Sequence, residues 1–244
     1  MKKFSLFLVT VLTIIACSKK ETNLKVSGTI KGLKKGTLYL QKIEDTSLVN
    51  VDSIAVNGDS NFLLETNIES PQVMYLYLDK IDNSKFDDRL DFFADEGEVK
   101  ITTNLEKFET DAKITGSVNQ DKLVEYRKMI KRFNETNLDI IKENFEAQKA
   151  KDTQRIAELD QQYENLLKRK YLYTVNFAIN HKDLEVAPYL ALSEVFDANI
   201  KYLDTIYNSL NKDVKKSKYG KQLKLFLKER REEKELAEKV EDEN

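Results

Sequence analysis

The sequence predicts an α+β protein: an N-terminal antiparallel β-sandwich of about seven or eight strands, then an all-helical segment holding a long antiparallel helical hairpin. Three observations carry that expectation. Short alternating apolar runs, separated by turn residues, continue as far as Ser117. Beyond it apolar residues recur every three or four positions over long stretches. The chain of 244 residues has only 7 Gly and 2 Pro, too few turn formers for an all-β protein.

The N-terminal residues 1–16 have the layout of an export signal. Met1-Lys2-Lys3 is basic, and Phe4 to Ala16 is apolar apart from Ser5, Thr10 and Thr13. This run is shorter than the roughly 20 residues needed to span a bilayer. Its end, Ile14-Ile15-Ala16-Cys17, resembles a lipobox, with cleavage expected between Ala16 and Cys17. By resemblance to bacterial lipoproteins, Cys17 would carry a diacylglycerol and an N-acyl chain. One acyl chain binds a membrane marginally, and several hold it stably. The alternative is an ordinary cleaved signal beside an incidental cysteine. Residues 17–23 then form a lipidated tether, in which Lys19 and Lys20 are too few for a polybasic cluster. Ser18 after the cysteine suits sorting to the outer membrane, facing the periplasm, by analogy with enteric bacteria.

Residues 24–117 carry the strand signals. Leu24, Val26, Thr29 and Ile30 surround Gly28, and Thr37 to Leu40 follow a Gly-rich turn. Val49, Val51, Ile54 and Val56 lead into Asn57-Gly58-Asp59, which predicts a hairpin. Phe62 to Leu64, Val73 to Leu78, Leu90 to Ala94, Val99 to Thr103 and Ala112 to Thr115 complete the set. Residues 118–228 carry the helical signals. Leu123, Tyr126, Ile130, Phe133, Leu138, Ile141 and Phe145 make one long apolar face. After a polar break at 147–152, Ile156, Leu159, Tyr163, Leu166, Tyr173 and Phe177 make a second, so the two helices should pair. Further helices are expected around Tyr189 to Phe196, Leu203 to Leu210 and Tyr219 to Phe226. Residues 229–244 form a charged C-terminal tail, read as a solvated or fraying helix.

The order of several short motifs resembles one family. They are Val26-Ser27-Gly28-Thr29-Ile30-Lys31-Gly32, Gly36 to Leu40, Val51-Asp52-Ser53, Asn57-Gly58 ahead of Phe62, Pro71, and Ile114-Thr115-Gly116-Ser117. They are similar to the β-rich domain of unknown function that precedes thioredoxin-like thiol–disulfide oxidoreductase domains in Bacteroidetes-type lipoproteins. Asn180-His181-Lys182-Asp183 and Ser217-Lys218-Tyr219-Gly220-Lys221 look like the helical segment between the two. The resemblance implies a shared architecture and compartment. It implies no oxidoreductase activity here, because redox exchange needs a pair of thiols and Cys17 is the single cysteine.

Other chemistry finds little support. The formal charge of −2 and the absence of a basic stripe argue against nucleic acid as a partner. His181 is the only histidine, so a typical zinc site lacks its ligands. The acidic segment from Asp79 to Glu98, with Asp82, Asp87, Asp88, Asp91, Asp95 and Glu96, has no calcium-loop pattern and reads as a solvated edge. Tyr39, Tyr75 and Tyr77 could stack on a ligand, but sheet packing is the commoner use. No catalytic, cofactor-binding or metal residues are assigned, and no cofactor is expected. The expected function is a non-catalytic, membrane-anchored lipoprotein of the cell envelope, held by its N-terminal lipid, binding or scaffolding an envelope protein partner. The alternatives are an accessory to a separate periplasmic thiol–disulfide or peroxide-reducing enzyme, and a carboxylate-based hydrolase.

Overall fold

The computed structural model describes residues 22–80 and 88–242. Ala16 and Cys17, the leader, and Asp82 and Asp87 of the acidic segment lie outside the described residues. Among the described residues, eight strands come first: β1 (Leu24–Lys31), β2 (Lys35–Glu44), β3 (Ser47–Asn57), β4 (Asn61–Thr66), β5 (Gln72–Asp79), β6 (Asp88–Ala94), β7 (Gly97–Asn104) and β8 (Lys113–Thr115). They form two four-stranded sheets, ordered β4-β1-β7-β8 and β3-β2-β5-β6. Alternate residues of each sheet point into one shared core. Leu24, Val26, Ile30, Val99 and Ile101 come from the first sheet; Leu38, Leu40, Leu76, Leu78 and Phe92 from the second. The period of two in the sequence is thus the two faces of a sandwich.

The expected antiparallel sandwich of eight strands is present, and one expectation about its strands needs correction. Asn57-Gly58-Asp59 does not close a hairpin: β3 and β4 belong to different sheets. The turn is tied to its neighbours instead. Lys34 carbonyl accepts from Gly58 N–H at 2.8 Å, Ser60 carbonyl accepts from Ile30 N–H at 3.0 Å, and Asp59 caps Asn61 N–H at 2.9 Å. These bonds favour an arch between layers over a ladder. The tight hairpin is β2–β3, closed by Asp45 and Thr46 between the pair Glu44↔Ser47, with Asp45 at φ 52°. The sandwich pairs antiparallel throughout except where β1 and β7 run in parallel. The chain leaves the second sheet after β6 and returns beside β1 with the same direction, which a sandwich crossover permits.

Six helices follow among the described residues: α1 (Val118–Ala150), α2 (Thr153–Asn180), α3 (Val186–Glu194), α4 (Ile200–Ser209), α5 (Lys212–Lys216) and α6 (Lys218–Asp242). Ser117 caps α1 by accepting Gln120 N–H at 2.9 Å. Lys151, left-handed at φ 56°, ends it, and Asp152 at once caps α2 by accepting Arg155 N–H at 2.9 Å. That two-residue reversal makes the expected antiparallel hairpin. The remaining helices pack around the base of α2, burying Val175, Ala178, Ala191, Leu203, Ile206, Leu223 and Leu227. Of the charged tail, residues 229–242 continue α6, exposed over 231–237, with an ion pair between Lys228 and Glu232 at 3.5 Å.

Candidate functional site

Helices and sandwich are joined by polar side chains that complete unpaired backbone groups. Pairing of β2 with β5 ends at Lys42↔Met74, so Val73 N–H has no strand partner there. The Tyr219 hydroxyl accepts it at 3.0 Å. Phe93 lies on the edge strand β6, and Gln120 Oε1 accepts its N–H at 2.8 Å. Asn119 accepts Val186 N–H at 2.8 Å and donates to Asp95 at 2.9 Å and to Glu185 at 3.2 Å. Burial raises the Glu185 carboxyl above the ordinary range. Around these bonds, Val73 and Phe93 pack against Leu123, Tyr126, Phe177, Leu190 and Tyr219. Such satisfied polar contacts fix the register of the two layers.

The motif Ser217-Lys218-Tyr219-Gly220 is the hinge-pin of this joint. Ser217 is buried and opens α6, accepting Gly220 N–H at 3.4 Å and donating to Val214 carbonyl at 2.7 Å. A Cβ on Gly220 would lie 2.0 Å from Val214 carbonyl oxygen, so only glycine allows α5 to approach. Lys218 sits half-buried, donating to Ile43 carbonyl at 2.9 Å and to Gln72 at 2.7 Å. Its backbone N–H donates to Ser70 Oγ at 3.1 Å. Desolvation, with help from Lys42, lowers the pKa of its ammonium below the usual lysine value. Lys218 is one wall of a cleft of about 780 Å³ between the β4–β5 loop, the end of β2 and the start of α6. Lys42, Lys216, Lys221, Asn67, Ser70 and Gln222 also line it, as do Glu44, Asp45 and Glu69. Lys42 pairs with Glu44 at 2.7 Å and, through that bond, lowers the Glu44 pKa.

A second surface lies on the outer half of the α1–α2 hairpin. Ile140, Ala147 and Leu159 form its small seam. Leu138, Ile141 and Phe145 are more than half exposed, contrary to the single apolar face expected for α1. The reason is geometric: only the seam facing α2 is covered there, and this stripe lies off it. With Tyr163, at 45% exposure, Ile141 and Phe145 border a groove of about 460 Å³. Asn137 Oδ1, at the same groove, is buried without a hydrogen-bond partner.

The residues singled out in the sequence fall as follows. Tyr39 and Tyr77 stack on the outer face of the second sheet, ring centroids 5.8 Å apart, and Arg89 lies 5.0 Å over Tyr77. Tyr39, Tyr75 and Tyr77 are all half-buried, so they build sheet surface. His181 ends α2, its Nδ1 2.8 Å from Phe177 carbonyl and its ring 4.2 Å from that of Phe177. In the acidic segment, Asp88 pairs with Lys80 and Asp91 with Arg127. Asp95 accepts Val118 N–H at 2.8 Å at the start of α1. Glu96 accepts from Asn23 at 3.1 Å and Glu98 from Ser27 at 2.9 Å. Among the described residues, no group of three or more His, Cys, Asp or Glu could hold a metal. Asn119 and Gln120 carry no motif in the sequence, and Tyr219 stands there only as a helix and family-motif residue. Their one signal is position: polar groups at helix starts, next to chain crossings.

No helix among the described residues is long and apolar enough to cross a membrane. No curated protein matches the chain. Residues 24–123, the sandwich and the first turns of α1, match the model of a family described as a domain of unknown function (DUF4369).

Proposed function

We propose that this protein is a lipid-anchored, non-catalytic binding module of the bacterial cell envelope, whose hairpin engages a protein partner. Cys17 provides the anchor, and the sandwich and its clustered helices form a rigid base. The outer half of the hairpin is the working surface. One observation carries this reading: the exposed stripe of Leu138, Ile141 and Phe145 beside Tyr163. Grouped exposed apolar side chains on a soluble surface mark interaction sites more often than scattered ones do. The partner best suited to the groove is an amphipathic helix, laid along α1 and α2 with its apolar face inward.

The test is a photo-crosslinking residue placed at Phe145 in cells, with the same residue at exposed Lys131 as the control. Phe145 is expected to give a discrete adduct with an envelope protein that Lys131 does not give. Equal labelling from both positions, or none from either, would overturn the reading. The anchor is tested separately. Cys17→Ala is expected to abolish incorporation of labelled fatty acid, and either to release the protein from membranes washed at high salt or to stall its processing.

A further inference from the structure

We propose that the lysine-rich corner formed by α5 and the start of α6 docks onto phosphate-bearing anionic headgroups of the membrane that holds the anchor. The proposal rests on the lipid-anchor reading above and says how the body sits against that membrane. Residues 212–224 hold six lysines, Lys212, Lys215, Lys216, Lys218, Lys221 and Lys224, against a single acid, Asp213. Lys212, Lys216, Lys221 and Lys224 are exposed. Lys218 walls the cleft that opens beside them, with Lys42 across from it. Four to eight clustered basic residues near a bilayer attract anionic lipid. Two tether lysines do not reach that number; this corner does.

Position supplies the second argument. The described chain begins at residue 22, and Asn23 is pinned to the β4–β5 loop. Its amide donates to Ile68 carbonyl at 2.7 Å, its Oδ1 accepts Ile68 N–H at 2.9 Å, and its N–H donates to Asn67 at 3.0 Å. The same loop carries Ser70, which receives Lys218 N–H. The point where the chain leaves for Cys17 is therefore on the rim of the lysine cleft. Six Cα–Cα steps separate Cys17 from Asn23, a reach of about 20 Å at most. A lipid at Cys17 would hold this corner close enough to the bilayer for its charges to act across the headgroup layer. The acids on the rim do not cancel it. Glu44 is paired with Lys42, leaving Asp45 and Glu69 on the sandwich side and Asp213 on the helical side against the lysines of 212–224. Ser70, Asn67 and Gln222 add neutral hydrogen-bond donors at the cleft wall.

Vesicle co-sedimentation of the chain from Ser18 to Asn244, which carries neither the lipid nor the apolar leader, tests the corner apart from the anchor. Binding is expected to vesicles with about one-third phosphatidylglycerol and not to neutral phosphatidylcholine, and to weaken steeply with salt. Lys216→Gln, Lys221→Gln and Lys224→Gln together are expected to lower partitioning about a hundredfold, at roughly fivefold per lysine. All three side chains are exposed, so the variant keeps its fold, checked by its melting curve. Equal binding to neutral vesicles, no binding to anionic ones, or an unchanged triple variant would overturn the proposal. So would competition by inorganic phosphate beyond that of chloride at equal ionic strength, since that points to a free phosphate ligand. If fatty acid is not incorporated at Cys17 while anionic vesicles still bind, the anchor reading fails alone. If it is incorporated and vesicles do not bind, the corner fails alone.

Discussion

The two halves of the α1–α2 hairpin carry the same apolar period and end in opposite environments. In the inner half, Leu123, Tyr126 and Ile130 are buried against Phe177, Val186 and the sandwich residues Val73 and Phe93. Tyr126 stacks on Tyr173 at 5.8 Å and meets Phe177 edge-on at 5.3 Å. Its hydroxyl is 2.8 Å from that of Thr174, whose own proton goes to Lys170 carbonyl, so Tyr126 donates. In the outer half, Leu138, Ile141 and Phe145 keep 54–57% of their surface exposed. A pair of helices covers one seam on each. A wider apolar stripe is buried only where a third layer lies over it. The inner half has that layer in the sandwich and α3; the outer half has none among the described residues. What packs the inner half for stability leaves the outer half available for recognition.

The sharpest way to break this comparison is to truncate one aromatic in each half. Tyr126→Ala is expected to cost about 3–5 kcal/mol, in the range of buried aromatic truncations. Phe145→Ala is expected to stay within about 0.5 kcal/mol, as surface substitutions do. Denaturant unfolding followed by circular dichroism measures both. Equal losses would mean that the halves are not energetically distinct.

The next effect tests the joint under the inner half. Tyr219→Phe keeps the ring and removes the acceptor for Val73 N–H. A buried donor left unsatisfied costs about 1–3 kcal/mol. Amide exchange at Val73 should quicken as well, while exchange in the outer half of α1 is unchanged. Unaltered stability and exchange would show that the bond contributes nothing to holding the layers together.

Alkaline pH should also separate the two regions. Burial raises the pKa values of the Tyr126 and Tyr219 phenols above 10. Each therefore stays protonated in the fold where it ionises in the unfolded chain. Their contribution is complete below pH 10 and is lost as the pH rises above 10 toward the folded values. Stability measured from pH 8 to pH 11 should be flat at first and then fall, and the fall should be smaller in Tyr126→Phe. A decline that begins well below pH 10 would point to other groups.

The sequence made most elements legible because alternation and three-to-four spacing report directly on strand and helix. Val26 to Ile30 and Leu38 to Leu40 are read as strands because every second side chain enters the core. What period cannot report is which neighbour covers a face. Phe133 and Phe145 share a stripe in the sequence, yet only Phe133 has the sandwich-side cluster to pack against. Asn57-Gly58-Asp59 has hairpin chemistry, but the bonds from Gly58 N–H to Lys34 carbonyl and from Ile30 N–H to Ser60 carbonyl tie the turn to other strands and send β4 to the other sheet. Asn119, Gln120 and Ser217 are polar residues outside any apolar period, yet they are only 2–6% exposed, because each completes a backbone group of another element. The lysines of 212–224 have no partner legible in the sequence; the fold brings the β4–β5 loop, which holds Asn23, to Lys218.

The smallest expected change in stability decides what the outer half is for. Ile141→Gln and Phe145→Gln replace exposed apolar side chains by polar ones of similar size on a good helix-forming background. Singly or together they should shift the melting temperature by no more than about 2 °C, since little buried area is lost. The same pair should abolish the crosslinked adduct seen from a probe at Tyr163, the neighbouring wall of the groove. A melting point several degrees lower would show that the stripe packs within the molecule. Adduct retained at full yield would show that it packs against nothing. Loss of the adduct with the melting point unmoved is the one result that assigns the stripe to a partner.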